Sequence, residues 1–182
     1  SLDDQPLSND KFLCTEEYLI IESPPQTFVL ETIVRIRPQD NTRLEGLYAS
    51  KDGFFTQCEA EGFRRITFFV DRPDVMSRYR VTIIADQVDY PILLSNGNLE
   101  EEGKRDDGKH WVRWEDPFPK PSYLFALVAA KLDKLEDHIE TFSGKQVTLV
   151  FYVEPGKLDQ CDFAMEALKS AIRWDEEVFG LE

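Results

Sequence analysis

Gln57 and Glu59 stand two residues apart in the run Phe54-Phe55-Thr56-Gln57-Cys58-Glu59, and an amide beside a carboxylate can hold a cation. If this run is a strand, its side chains alternate between two faces, so Gln57 and Glu59 share one face and Thr56 and Cys58 the other. The two polar groups then lie about 7 Å apart and can reach one small ligand, such as an ammonium group. The same spacing marks the wet side of any half-buried strand. On spacing alone, that plainer reading comes first.

The remaining reactive side chains make weaker constellations. Glu59 and Glu61 share the same predicted face and are a formal acid and base pair for glycoside hydrolysis, but such pairs are commonplace on strands. Trp111, Trp114 and Phe118 could form an aromatic platform for sugar, although tryptophans in such runs more often pack in a core or an interface. Ser122 and Cys58 have no histidine placed to activate them. The sequence holds two histidines, His110 and His138, and neither begins the H-E-x-x-H spacing that puts two imidazoles on one helical face for zinc.

The longer stretch Thr56-Gln57-Cys58-Glu59-Ala60-Glu61-Gly62-Phe63-Arg64-Arg65-Ile66-Thr67-Phe68-Phe69-Val70-Asp71-Arg72-Pro73-Asp74 closely resembles a segment of the zinc aminopeptidases of the aminopeptidase N family. Leu44 to Tyr48, Tyr90 to Asn98, Asp116 to Ala129 and Trp174 to Glu182 resemble bacterial members in the same order, so the likeness covers nearly the whole chain. Residues Ser1 to Gln39 resemble the family in pattern alone. The resemblance implies a saddle-shaped, all-β N-terminal domain whose final helix leads to a thermolysin-like catalytic domain. It also implies that Gln57 and Glu59 project into the active site of that next domain and help hold the free α-amino group of a peptide substrate. Zinc is the implied cofactor of the full-length enzyme. Its H-E-x-x-H motif and the G-x-M-E-N exopeptidase loop are absent from this segment, which is expected to bind no zinc and to be inactive alone. Phe163-Ala164-Met165-Glu166-Ala167 is a superficial match to that loop, lacking its Gly and Asn. The alternative is a free-standing β-sandwich binding module, for carbohydrate or protein, with its face around Trp111 and Trp114.

The elements that must position these residues read as strand after strand. Lys11 to Cys14 and Tyr18 to Glu22 have hairpin character, and Thr27 to Arg37 is a long β-branched run with period-two alternation. Leu44 to Ser50 and Phe54 to Glu59 flank Lys51-Asp52-Gly53, whose Asp-Gly pair suits a tight hairpin. Ile66 to Val70 is a further apolar patch. Asp71 to Asp74 reads as a turn into a short helical segment. Tyr79 to Ala85 and Pro91 to Ser95 are strands, and Asn96-Gly97 is a hairpin signal. Leu99 to Arg105 is a charged edge, and Asp106-Asp107-Gly108 turns the chain into a half-buried strand from His110 to Glu115. Pro117, Pro119 and Pro121 forbid a helix and keep the next stretch extended. Tyr123 to Ala130 is the most apolar run and is expected as a central strand buried on both sides.

Asp133 to Thr141 and Gln146 to Val153 are joined by Ser143-Gly144-Lys145, with Val147, Leu149, Phe151 and Val153 on one face. From Asp159 the period changes to three and four, which predicts one helix of about five turns over residues 159–179, capped at Asp159 and ended by Gly180. The fold class is therefore mainly β, an antiparallel β-sandwich or saddle-like domain over residues 1–182 with one C-terminal helix. Ser1 to Pro6 reads as the middle of a hairpin, so the domain is expected to lack its first strands here.

Composition sets outer limits. With 182 residues and 42% hydrophobic content the chain can bury one core. The 35 acidic against 21 basic residues give a net charge of −14, which repels a phosphate backbone and argues against nucleic acid or anionic membrane as a partner. No apolar run reaches the roughly 20 residues of a membrane helix. Three cysteines without a C-x-x-C pair leave an odd thiol, pointing to a reducing, cytoplasmic setting.

Overall fold

The computed structural model of the protein describes residues 1–51 and 53–182. In chain order its strands are β1 (Phe12–Cys14), β2 (Leu19–Ile21), β3 (Gly46–Ser50), β4 (Gly53–Gln57), β5 (Ser77–Asp86), β6 (Ile92–Ser95), β7 (Asn98–Lys104), β8 (Lys109–Lys120), β9 (Leu127–Ala130), β10 (Asp133–Glu140) and β11 (Gln146–Val153). They are followed by the single α-helix of the described residues, α1 (Asp162–Phe179). The mainly β expectation with a C-terminal helix therefore holds, as several antiparallel sheets that do not close into a barrel.

Two sheets make the body of the fold. One has the order β3-β4-β9-β6, the other β5-β8-β7. Leu93 and Ala129 are register partners in the first, Ile83 and Val112 in the second, and these four side chains meet as the core between the sheets. Phe54, Val81 and Trp114 pack around them. A second core lies at the end of β4, where Cys58, Phe63 and Tyr79 are buried with Ile66 and Phe125 against them. The third belongs to the hairpin of β10 and β11: Ile139 and Leu149 meet Met165 of α1, with Leu135, Val147, Phe151, Leu168 and Ile172 alongside. The period-two face of β11 and the three-and-four stripe of α1 thus bury each other.

Several expectations are corrected. Thr27 to Arg37 forms no strand. A strand exists by its ladder, and among the described residues this run meets a partner only where Leu30 bridges Leu2, leaving Ile33 94% exposed. Asp71 to Asp74 leads into β5 rather than a helix, because two residues after the Pro73-Asp74 turn the chain enters a strand whose β-branched stretch runs from Val81 to Ile84. Tyr123 and Leu124 belong to a 3-10 turn, so the inner strand of that sheet shortens to β9. α1 starts at Asp162, with Cys161 at its N-cap; Asp159 sits in a separate 3-10 turn, Leu158–Gln160, and caps nothing. Gly180 does end the helix in the left-handed conformation.

Asn96-Gly97 turns the chain but makes no hairpin, since β6 and β7 belong to different sheets. Gly97 has φ +88°, and a Cβ there would stand 2.1 Å from the carbonyl oxygen of Glu115 in β8. The glycine lets the crossing chain touch the backbone of the second sheet. Asn96 secures the crossing by donating to Leu124 O at 3.0 Å and accepting from Ala126 N at 2.6 Å. The expected hairpin of β3 and β4 is present, while its Asp52-Gly53 turn rests on Asp52, outside the described residues.

Candidate functional site

β4 ends at Gln57, so Glu59 lies in the turn that follows rather than in the strand. Alternation nevertheless persists through Cys58, which is 2% exposed, while Gln57 and Glu59 on either side are exposed. Gln57 Nε2 donates to the backbone carbonyl of Glu59 at 3.1 Å, and the Glu59-Ala60 peptide is cis. Gly62 N–H then donates back to Cys58 O at 2.7 Å and closes the loop.

Two glycines allow that closure. A Cβ on Gly62 would stand 2.2 Å from Gln57 O and 2.9 Å from Cys58 Cα. Gly46, with φ +73°, faces it at the start of β3, where a Cβ would lie 2.8 Å from Gly62 O. Beyond the closure, Phe63 begins a 3-10 turn and anchors it by edge-on packing against Phe69 and Phe125, each at 4.9 Å between ring centroids.

The loop borders an open depression of about 250 Å³ lined by three arginines, Arg43, Arg64 and Arg65, and by Glu45, Glu59 and Glu61. Arg65 lies 3.7 Å from Glu45, and Arg64 lies 3.4 Å from Glu61. Among the described residues Glu59 has no such cationic partner, so its carboxylate is the uncommitted acceptor of the depression. Gln57 lies outside the lining. A larger depression of about 580 Å³, between Gln39, Phe54, Tyr90 and Lys131, contains neither residue of the pair.

Beneath the loop is a charge cluster for which the sequence gives no local signal. Asp71, 7% exposed, accepts from the backbone N–H and the Nε of Arg64, each at 3.0 Å, and also from the Ser122 hydroxyl. Burial pushes its carboxyl up, but the hydrogen bonds from Ser122 and Arg64 outweigh that and hold it below the usual carboxylate range. Burial pushes the Cys58 thiol up to about 11, with the Asp71 charge adding to it. Burial and the same charge raise Tyr79.

A raised thiol is the opposite of what a nucleophile needs. Cys58 is also inaccessible, whereas Cys14 is exposed. A maleimide at about pH 8 is therefore expected to label Cys14 of the folded chain fully before Cys58, with mass mapping as the readout. Early modification of Cys58 would contradict its burial. Because the folded-state thiol is the weaker acid, its contribution to stability is intact below the unfolded thiol range, near 9, and is lost as pH rises through about 11.

The competing constellations do not assemble. Trp111 and Trp114 are three apart in β8 and face opposite sides: Trp114 joins the core and donates Nε1–H to Leu93 O at 3.1 Å, whereas Trp111 carries Arg113 over its ring at 5.4 Å. No single aromatic platform joins them, and Phe118 stands apart at 74% exposed. Glu59 and Glu61 lie in a turn, with Glu61 engaged by Arg64. His110 Nε2–H donates to Tyr90 O at 2.7 Å, and His138 stands 3.9 Å from Glu136 on β10. Among the described residues there is no group of three or more His, Cys, Asp or Glu able to hold a metal, and no helix long and apolar enough to cross a membrane.

Comparison with known proteins gives one consistent result. The chain is 54% identical over 167 residues to aminopeptidase N of Escherichia coli, covering 92% of this chain and 19% of that protein. It is 52% identical over all 182 residues to aminopeptidase N of Caulobacter vibrioides, of which it covers 21%. The crystal structure of Legionella pneumophila aminopeptidase A in complex with aspartic acid superposes with a TM-score of 0.91 at 41% identity, covering 100% of this chain and 21% of that one. The chain thus spans about a fifth of the length of these relatives. Since the Peptidase M1 N-terminal domain family also matches residues 3–124, carrying both β4 and the loop after it, the chain belongs to that family.

Proposed function

We propose that this chain is the N-terminal β domain of a zinc metallo-aminopeptidase that removes N-terminal amino acids from peptides, and that Gln57 and Glu59 anchor the substrate α-amino group. The observation that carries the reading is the unpaired carboxylate of Glu59. It projects from a closed loop while the neighbouring glutamates are engaged by arginines. An ammonium group needs acceptors and repels donors, and a fixed carboxylate supplies the strongest acceptor. Gln57 donates its amide N–H to the loop carbonyl, which leaves its Oε1 as a second acceptor.

The residues of this chain do not fit a catalytic zinc, because His110 and His138 lie in different sheets and no ligand cluster forms among the described residues. The metal would be held elsewhere in the full-length protein, where it supplies Lewis acid chemistry. This domain would bind and orient the amino end of the peptide. The three free cysteines agree with a reducing cytoplasm.

Two measurements test this division of labour. Metal analysis of the purified 182-residue chain is expected to find no stoichiometric zinc, and that chain should hydrolyse no aminoacyl substrate; one tight zinc per chain would place ligands where none are seen. The full-length protein should turn over aminoacyl anilides with a free α-amine and spare their N-acetylated counterparts. Equal turnover of both would sink the amino-group reading.

A further inference from the structure

Asp71 holds the Glu59 loop from beneath without belonging to the amino-group pair. Besides the two contacts from Arg64 to its carboxylate, the backbone carbonyl of Asp71 accepts from an Arg64 terminal nitrogen at 2.7 Å. Its second carboxylate oxygen is taken by Ser122, which is 1% exposed and belongs to the turn before β9. A buried carboxylate is tolerated when its lone pairs are filled. Here they are filled by one residue of the loop and one of the 3-10 turn that leads into β9.

The far side of the same guanidinium lies 3.4 Å from Glu61, two residues beyond Glu59. The next residue, Gly62, is bonded back to Cys58 O at 2.7 Å. Any shift of Arg64 is therefore passed to residues on both sides of Glu59.

We propose that Asp71 is a positioning residue for the amino-group site: through Arg64 it fixes the loop over residues 58–65 and so sets the direction in which Glu59 presents its carboxylate. The proposal rests on Glu59 being the ammonium acceptor. Asp71 itself touches no substrate, so its influence must disappear once residue 59 can no longer bind the ammonium.

The test is a double-mutant cycle in the full-length peptidase, reading kcat/KM on alanyl 4-nitroanilide for Asp71→Ala and Arg64→Met, each alone and each combined with Glu59→Gln. Asp71→Ala is expected to lower kcat/KM about tenfold to a hundredfold, and Arg64→Met about tenfold, since a misplacement of about 1 Å can cost a hundredfold. In the Glu59→Gln background either change should add less than about twofold. Asp71→Asn keeps an acceptor for Arg64 and offers its amide to the Ser122 oxygen, so it should restore most of the activity. Losses that multiply in full with Glu59→Gln would overturn the proposal, because a merely structural role lowers the active fraction whatever stands at position 59. If Asp71→Ala fails to fold, Arg64→Met carries the same cycle, its side chain being 46% exposed. A Glu59→Gln enzyme of native kcat/KM would remove the amino-group reading and this inference together. Loss in Glu59→Gln beside near-native Asp71→Ala and Arg64→Met would overturn the positioning role alone.

Discussion

Glu59→Ala in the full-length peptidase is expected to lower kcat/KM on free-amine substrates by about 30-fold to several thousand-fold. The magnitude follows from removing one partner of a desolvated, hydrogen-bonded charge pair, roughly 2–5 kcal/mol. Glu59 is exposed in this chain, so under the proposed amino-group role the desolvation is assigned to the adjoining domain and the bound peptide. Glu59→Gln keeps the shape, removes the charge and should lose most of the same activity. Gln57→Ala should lose less, since the amide cannot ionise and one of its groups is engaged with Glu59 O. Glu61→Ala should lose much less than Glu59→Ala, because that carboxylate is directed to Arg64 and bears on Glu59 only through the loop. Zinc content should be the same in all four. Near-native kcat/KM in Glu59→Gln would leave the carboxylate as no more than a solvated side chain in the turn after β4.

A large structural effect at the candidate site is expected at Gly62. Its φ of −76° suits any residue, so the objection to a side chain is purely steric. An alanine Cβ would press on Gln57 O at 2.2 Å, Gly46 N at 2.8 Å and Cys58 Cα at 2.9 Å, all backbone atoms that cannot rotate away. The loop must open, breaking the Gly62 to Cys58 hydrogen bond and moving Glu59. Gly62→Ala should destabilise the domain by about 3 kcal/mol, the upper end of overpacking effects, which in a chain of this size lowers Tm by roughly 6–12 °C. Gly108→Ala is the comparison. Its φ is +81° with no atom within 4 Å of a Cβ, so strain alone should amount to about 1–2 kcal/mol. A Gly62→Ala melt at or above that of Gly108→Ala would show that the loop is not closed as described.

Much of this fold is written locally. The β10-β11 hairpin announces itself by period-two runs meeting at Ser143-Gly144-Lys145 and the β7-β8 hairpin by a charged edge turned at Asp106-Asp107-Gly108 into a half-buried strand, while the same alternation puts Gln57 and Glu59 on the wet side of buried Cys58. The parity rule also separates Trp111 from Trp114, a signal already present in their odd spacing. Other features depend on distant partners. Thr27 to Arg37 has the composition of a strand, but composition cannot say whether a ladder awaits it. Asn96-Gly97 marks a turn without marking that its arms join different sheets. The clamp under the loop links Asp71 to Ser122 across 51 positions, and no local pattern marks either residue as buried and charged.

The crossing at Gly97 bears on how the molecule comes apart. The stretch that holds the whole β5-β8-β7 sheet, from Ser77 to Lys120, lies inside the stretch from Gly46 to Ala130 that the β3-β4-β9-β6 sheet needs, and it carries β6 of that other sheet within it. The four-stranded sheet therefore closes only after the chain has passed through the three-stranded one, which raises the contact order and ties both into one cooperative transition. The hairpin of β10 and β11 with α1 is built the other way, as an unbroken segment with a core of its own. That segment can open and close on its own schedule, leaving the sandwich and its Glu59 loop intact.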